Sequence, residues 1–125
     1  SRLAGESFSM ITGLDLRVEK LEGEALAPAA PSDDPAVDDA APDPDRLLPW
    51  PAPERVAEAW EKQRAHFPAG ARRLLGQPLD RAWLTQVLRD GYQRARASAA
   101  IELCLIDPGR PLADVRAPAF RQRPS

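Results

Sequence analysis

The residues of this sequence that could perform chemistry are few and scattered. His66 is the only histidine and Cys104 the only cysteine, whereas a zinc site needs three or four such ligands. No serine or threonine lies in a nucleophile motif beside a base, and the glycines occur one at a time rather than in a phosphate-binding loop. We therefore expect no enzyme activity, no catalytic residue, no metal site and no cofactor.

Glu102 is the one acidic residue within the apolar stretch Ala97–Ile106. Burial favours the protonated form of a carboxyl group and can prepare it for catalysis. Pairing with an arginine of a neighbouring helix is the commoner outcome for such a residue, and it is the one that we favour.

Aromatic and arginine side chains are the candidates for binding a partner, since these residue types dominate the strong contacts of protein interfaces. The candidate residues are Trp50, Arg72, Arg73, Arg94, Arg96 and Arg121. Core packing is the alternative role for Trp50. The arginine-rich part could instead bind a nucleic-acid backbone, but no aromatic platform or recognition-helix motif accompanies it, so nucleic-acid binding is the less favoured alternative.

Helices are the elements that must position these side chains. Apolar spacing and capping residues predict helices over residues 1–13, 53–66, 80–89 and up to Ile106. The last of these is apolar on nearly every side between Ala97 and Ile106, so we expect neighbouring helices to pack all around it. Residues 14–21 fit a short extended segment or an extra helical turn, residues 68–76 a turn and a short helical or looped piece, and the C-terminal tail an extended path.

Charge and proline divide the chain into three regions. Residues 22–45 carry eight acids and no base, with few large apolar side chains and many prolines, so they cannot bury enough surface to offset the entropy of ordering. From Arg46 onward there are fourteen bases against eight acids. We predict an N-terminal helix and short extension over residues 1–21, a disordered acidic linker over 22–46, and a helical domain with an extended tail over 47–125.

The cysteine count and the length of the apolar runs indicate the cellular compartment. One cysteine provides no disulfide framework, which favours a reducing compartment. The longest apolar run is far shorter than the ~20 residues of a membrane span. We expect a cytoplasmic protein with no membrane contact, and, because the chain opens without methionine in what reads as a helix, a piece of a longer polypeptide.

One pair of predicted helices resembles a unit of a HEAT-type repeat. The segment WLTQVLRD (83–90) meets a corner at Asp90-Gly91, and a second helix follows with Ala95-Arg96 and small alanines. Together with AGESFSMITGLDL (4–16), LPWPAPERVAEAW (48–60), FPAGARRLLGQPL (67–79) and RAPAFRQR (116–123), this order is similar to the C-terminal part of a bacterial HEAT-repeat family associated with type VI secretion gene clusters. The resemblance implies an all-α fold, a HEAT-like irregular bundle that caps a solenoid, and no assigned catalytic site.

The function that we expect from these observations is a non-enzymatic scaffold module that binds a protein partner. The resemblance implies that this module is the C-terminal cap of a HEAT-like bacterial protein linked to type VI secretion. The alternative is a regulatory module that binds nucleic acid through the arginine-rich helices. Homo-oligomerisation stays open at this point.

Overall fold

The computed structural model describes residues 1–25, 33–36, 43–118 and 121–122. The chain divides into two compact units, one formed by Ser1–Ser9 with Asp15–Pro68 and the other by Met10–Leu14 with Ala69–Ser125. Most of the predicted acidic linker, residues 22–46, lies outside the described residues, so its disorder remains a prediction.

Helix α1 spans Arg2–Thr12 and is followed by Gly13, whose φ of 77° is the left-handed conformation common after a helix end. Its residues up to Ser9 belong to the first unit. There the chain from Asp15 to Leu21 forms a hydrogen-bonded turn, in which the Leu21 amide donates to the Leu16 carbonyl at 2.7 Å. The segment is therefore neither of the two predicted alternatives: it is not extended, and it does not continue the helix, which ends at Thr12. This separate turn buries Leu16 and Leu21.

Helix α2, Pro53–Gln63, completes the described part of the first unit and continues into a 3₁₀ turn over Arg64–His66. Proline begins the helix, as predicted, because its fixed φ suits the first turn and its missing N–H is not needed there. The aromatic rings of Trp60 and Phe67 lie 5.6 Å apart between their centroids. Both side chains are half-buried. Helix α2 is therefore amphipathic, with its apolar side turned inward, as its spacing predicts.

The second unit is built on helix α3, Arg81–Asp90, and helix α4, Gln93–Ile106, which pack against each other. The predicted N-cap Asp80 is confirmed, since its carboxylate accepts a hydrogen bond of 2.8 Å from the Trp83 amide. The core between the two helices contains the buried side chains of Leu74, Leu84, Val87, Ala95, Ala99 and Leu103. The alanines of α4 allow the close approach that their small size predicts.

The prediction of an all-α, HEAT-like solenoid cap is wrong. An antiparallel hairpin, β1 (Arg73–Leu74) and β2 (Gln77–Pro78), lies in the segment that was expected to be helical or looped, and helices make up less than half of the described residues. The hairpin turns at Leu75 and Gly76, which have φ values of 50° and 81°. Two positive φ angles match the twist of a two-residue hairpin.

The end of α1 explains why this hairpin forms without a long strand pattern. The Leu75 amide donates to the Met10 carbonyl at 2.5 Å, and the Gly76 amide donates to the Ile11 carbonyl at 3.0 Å. The last carbonyls of a helix lack partners within it, so the turn of the hairpin satisfies them. This is a contact between distant segments, which local sequence spacing does not encode.

The expectation that α4 is covered on all sides is also wrong. Ala95, Ala99 and Leu103 are fully buried, but Ile101 and Leu105 on the opposite side are 54% and 63% exposed. After α4 the chain from Asp107 to Pro118 has no helix or strand, but it is not extended throughout as predicted. It turns twice, where the Arg110 amide donates to the Asp107 carbonyl at 2.9 Å and the Ala117 amide donates to the Asp114 carbonyl at 3.2 Å. Leu112, expected to hold this tail on the core, is 64% exposed, and Phe120 lies outside the described residues.

Candidate protein interface

Trp50, the aromatic candidate, belongs to the first unit. Its half-buried ring lies 5.1 Å from the Cζ atom of Arg2, within the range of a cation–π contact. The same arginine forms an ion pair of 2.8 Å with Asp43. The Trp50 carbonyl accepts a hydrogen bond of 2.7 Å from the Gly23 amide, so Trp50 holds its own unit together.

Arg72 and Arg73 lie at the start of the hairpin in the second unit. The Arg72 guanidinium binds both carboxylate oxygens of Glu102. Glu102 thus pairs with an arginine, as expected, but this arginine precedes β1 instead of lying on a helix. Arg73 is half-buried and donates to the Gly76 carbonyl at 3.1 Å, so it contributes to the hairpin turn.

Arg96 connects α4 to the end of α3. Its Nε atom donates to the Leu88 carbonyl at 2.9 Å, and its guanidinium also donates to Gln93 and Gln122. An arginine near the last carbonyls of a helix satisfies them and complements the negative end of the helix dipole. Arg96 therefore has a structural role at the end of α3, and this role explains why a charged residue occurs at this position.

The other two predicted arginines, Arg94 and Arg121, make further interactions of their own. Arg94 is half-buried in the first turn of α4, whereas Arg121 is exposed in the tail. The five candidate arginines, all in the second unit, thus lie on different elements: before and in β1, in α4 and in the tail.

The outer α4 face, which we define as Arg94, Ser98, Ile101 and Leu105, contains one predicted candidate, Arg94, and three residues that the sequence analysis did not single out. These residues follow one another at intervals of four, three and four, which places them on one side of a helix. The spacing of Ile101 and Leu105 relative to the buried alanines of α4 is the sequence signal that could have identified this face, because it places these two residues on the other side of the helix. Both sides of α4 are apolar, so the signal lies in the spacing and not in the residue types.

The borders of the outer α4 face are formed by polar contacts. On one side lies Glu102 with its Arg72 partner. On the other side the tail approaches the helix, since Gln93 donates to the Val115 carbonyl at 2.8 Å and the Cys104 thiol lies 3.5 Å from the Arg110 carbonyl. An apolar centre with a polar border is the usual composition of a protein-binding surface.

A shallow groove of about 670 Å³ runs along the outer side of α3 and is lined by Arg81, Ala82, Thr85, Gln86, Arg89 and Asp90. The Arg81 guanidinium lies 3.6 Å from the Asp107 carboxylate. The lining combines charged and small polar side chains and contains no nucleophile beside a base. The Thr85 hydroxyl in this lining donates to the Arg81 carbonyl at 2.7 Å.

Titratable groups in the described ranges give little sign of a reactive site. No group of three or more His, Cys, Asp or Glu residues that could hold a metal ion occurs among the residues that the structure describes. The pKa of Glu58 is lowered by a hydrogen bond of 2.8 Å from the Lys62 ammonium, one helical turn away, and by the charge of that group. This carboxylate is exposed on the outside of α2, so its shift reflects a surface ion pair.

Within the described part of the chain, no helix has the length and apolar character that crossing a membrane requires. Comparison with known proteins finds no matching protein-family model, no matching curated protein and no matching solved structure. The resemblance to a bacterial HEAT-repeat family therefore stays a prediction.

Proposed function

We propose that this chain is a non-enzymatic protein-interaction module and that the outer α4 face is its binding surface. The observation that carries the proposal is the exposure of Ile101 and Leu105, at 54% and 63%, on the side of α4 opposite the core. Contiguous apolar patches on a protein surface mark interaction sites, whereas single exposed apolar side chains are common.

The energetic argument rests on the apolar area that a partner would remove from water. Full burial of a leucine or isoleucine side chain stabilises a complex by about 1.5–3 kcal/mol. Ile101 and Leu105 lie one helical turn apart, so a single partner element can cover both. The polar border, with Arg72 and Glu102 already paired, then fixes the position of the partner without leaving an uncompensated charge.

The competing function, binding of nucleic acid through the arginine-rich part, has less support. Arg72, Arg73 and Arg96 each bind a carboxylate, a carbonyl or an amide within the second unit. Their charges and donors are therefore used in the fold, and phosphate groups would have to compete for them. The scaffold function is the better-supported proposal.

The resemblance to the bacterial HEAT-repeat family suggests the setting in which this module would act. We propose a cytoplasmic assembly connected with type VI secretion, on the basis of the quoted motifs alone. The lone Cys104, half-buried in an apolar helix, is compatible with a reducing compartment.

A capture experiment with matched variants tests the proposed function. The tagged full chain is incubated with lysate from a bacterium that encodes it, and the retained proteins are compared for wild type, Leu105→Ser and Leu112→Ser. Leu105 and Leu112 have almost equal exposure, 63% and 64%, but only Leu105 belongs to the outer α4 face. We expect Leu105→Ser alone to lose its partner, whereas equal capture by all three proteins would contradict the proposal.

A further inference from the structure

We propose that residues 110–118, which we call the tail strap, form a releasable cover on α4, and that a peptide segment of a protein partner replaces this cover when the partner binds. The inference rests on the proposed function, because it concerns the regulation of the same binding surface. Three features of the second unit support it: the attachment of the strap, the strip of α4 beneath it, and the position of that strip beside the outer α4 face.

The tail strap is attached to α4 near both ends of the helix by side chains. At one end the Cys104 thiol lies 3.5 Å from the Arg110 carbonyl. At the other end the Gln93 side chain donates to the Val115 carbonyl at 2.8 Å, and Gln122, further along the tail, donates to the same carbonyl at 3.1 Å. The strap therefore runs along α4 in the direction opposite to that of the helix.

The backbone of the strap makes local hydrogen bonds. The Val115 amide donates to the Ala113 carbonyl at 3.1 Å, and the Ala117 amide donates to the Asp114 carbonyl at 3.2 Å. Among the described residues, no ladder of backbone hydrogen bonds joins the strap to α4. A segment that is held by few contacts opens locally without unfolding of the core. The strap can therefore leave α4 while the core between α3 and α4 stays folded.

The strap covers a strip of α4 whose residues follow one another at intervals of four, three and four, on one side of the helix: Gln93, Ala97, Ala100 and Cys104. Ala100 is only 3% exposed, although it lies outside the core cluster between α3 and α4. Because the strap is bound at both ends of this strip, its position accounts for the burial of Ala100.

The strap also indicates which chemistry the strip accepts. Burial alternates along the strap: Ala113, Val115 and Ala117 are half-buried, and the residues on either side of each are exposed. Small apolar side chains thus line its inner side. A partner segment that replaces the strap therefore presents small apolar side chains at alternate positions and a carbonyl group that accepts a hydrogen bond from Gln93.

The strip beneath the strap borders the outer α4 face. Ile101 follows Ala100 and Leu105 follows Cys104, and consecutive residues lie about 100° apart around a helix. Release of the strap therefore joins the small side chains of the strip to the exposed side chains of Ile101 and Leu105. The widened surface is contiguous, which is the property that marks an interaction site.

Labelling of the full chain with iodoacetamide measures the release of the strap, because Cys104 is the only cysteine and its thiol lies against the strap. Val115→Ser, on the inner side of the strap, is compared with Leu112→Ser on its exposed side. Gln93→Ala removes the donor on α4 and is compared with Gln86→Ala, the same change at an exposed position of α3. Mass spectrometry gives the labelling rate.

We expect Val115→Ser and Gln93→Ala to raise the labelling rate about three- to tenfold, the effect of losing one hydrogen bond or a similar contact. The two controls should label at the wild-type rate. The urea midpoint, followed by circular dichroism, should change little in all four variants, since the release is local.

A synthetic peptide with the sequence of residues 110–118 tests whether a separate segment replaces the strap. Added in excess to the Val115→Ser chain, whose own strap is weakened, it should return the labelling rate of Cys104 towards the wild-type value. It should protect the Gln93→Ala chain less, because that chain lacks the donor for the peptide carbonyl. The same peptide carrying Val115→Ser is the control and should protect neither chain.

Equal labelling rates within either pair of variants would overturn the inference, and so would a faster rate that accompanies a lowered urea midpoint, since global unfolding would then expose the thiol. A peptide that fails to protect the Val115→Ser chain would also overturn it. The proposed function fails separately. If Leu105→Ser keeps its captured partner while the peptide protects Cys104, the exchange of the strap stands, and the outer α4 face is not the binding surface.

Discussion

Glu102 shows how a charged residue is accommodated in an apolar helix. Its side chain is only 14% exposed, and the Arg72 guanidinium that binds it comes from outside the helix and is 68% exposed. The pair is therefore partly open to solvent, where ion pairs contribute modestly because water screens them. The contact nevertheless connects the segment before β1 to α4.

We expect Arg72→Gln to lower the free energy of unfolding by about 0.5–1 kcal/mol, because Glu102 would lose its charged partner while half-buried. Urea denaturation monitored by circular dichroism measures the change. Arg89→Gln is the matched control on an exposed position of α3 and should leave the midpoint unaltered. If both variants unfold at the same denaturant concentration as wild type, the Arg72–Glu102 pair contributes nothing to stability.

The Glu58–Lys62 pair predicts a pH effect of known sign. The Lys62 ammonium lowers the pKa of Glu58 in the folded chain, so the support that the pair gives to α2 is present above the ordinary carboxyl pKa and is lost as the pH falls through the lowered value. In an NMR titration of the side-chain carboxyl, Lys62→Gln should return the pKa of Glu58 towards its usual value. Lys62→Arg should keep it low, and an unchanged pKa in Lys62→Gln would exclude Lys62 as the cause.

At the scale of elements, the hairpin turn depends on a residue without a side chain. A Cβ atom at Gly76 would lie 2.6 Å from the Thr12 carbonyl oxygen, whereas a Cβ atom at Gly70 would meet no atom within 4 Å. Both glycines have a φ of 81°. The two positions therefore share the conformational cost of an alanine and differ in the steric clash.

Gly76→Ala should accordingly destabilise the chain by about 3 kcal/mol, and Gly70→Ala by about 1 kcal/mol. Thermal or urea unfolding gives both values, and their difference isolates the contact between the hairpin turn and the end of α1. Equal losses for the two variants would mean that this close approach does not exist in solution.

Helix α4 has a buried and an exposed apolar side, and two substitutions distinguish them. Leu103 is completely buried, so Leu103→Ala should cost about 2–5 kcal/mol through lost contacts and a cavity. Ile101→Ala removes a similar number of atoms from the outer α4 face and should cost less than about 0.5 kcal/mol. Similar unfolding midpoints for the two variants would contradict the assignment of the core.

At the scale of the whole molecule, the net charge of −2 results from an acidic stretch followed by a basic part. Some of these charges are paired in the described ranges: Arg2 binds Asp43 and Arg17 approaches Glu22 at 3.4 Å in the first unit, and Arg72 binds Glu102 in the second. Within the basic part, Arg72 and Arg81 are thus partly neutralised by carboxylates of the same chain, Glu102 and Asp107.

We therefore expect the chain to show no measurable affinity for duplex or single-stranded oligonucleotides at physiological salt concentration. Fluorescence anisotropy with both types of oligonucleotide, over a series of salt concentrations, measures this. Deletion of residues 22–45 provides the control, because it removes eight acids at once. Binding that weakens steeply with salt, and strengthens in the deletion variant, would restore the nucleic-acid alternative.

Local patterns predicted the helices well because each has a signal that neighbouring residues supply. Pro53 begins α2, Asp80 caps α3 and Gly13 follows α1, and each of these acts within one or two helical turns. The hairpin was not predicted, since its strands contain two residues each and its turn places Leu75 at a positive φ. Such a turn forms because it caps the end of α1, a segment more than sixty residues earlier in the chain.

The sequence by itself determined nearly where the helices begin and end, and that Glu102 needs a cationic partner. Only the tertiary structure decided which arginine pairs with Glu102 and which apolar side of α4 faces the core. The physical reason is that Ile101, Leu103 and Leu105 are chemically alike, so their burial depends on which segments arrive beside them. The outer α4 face, and the functions proposed for it, follow from that choice.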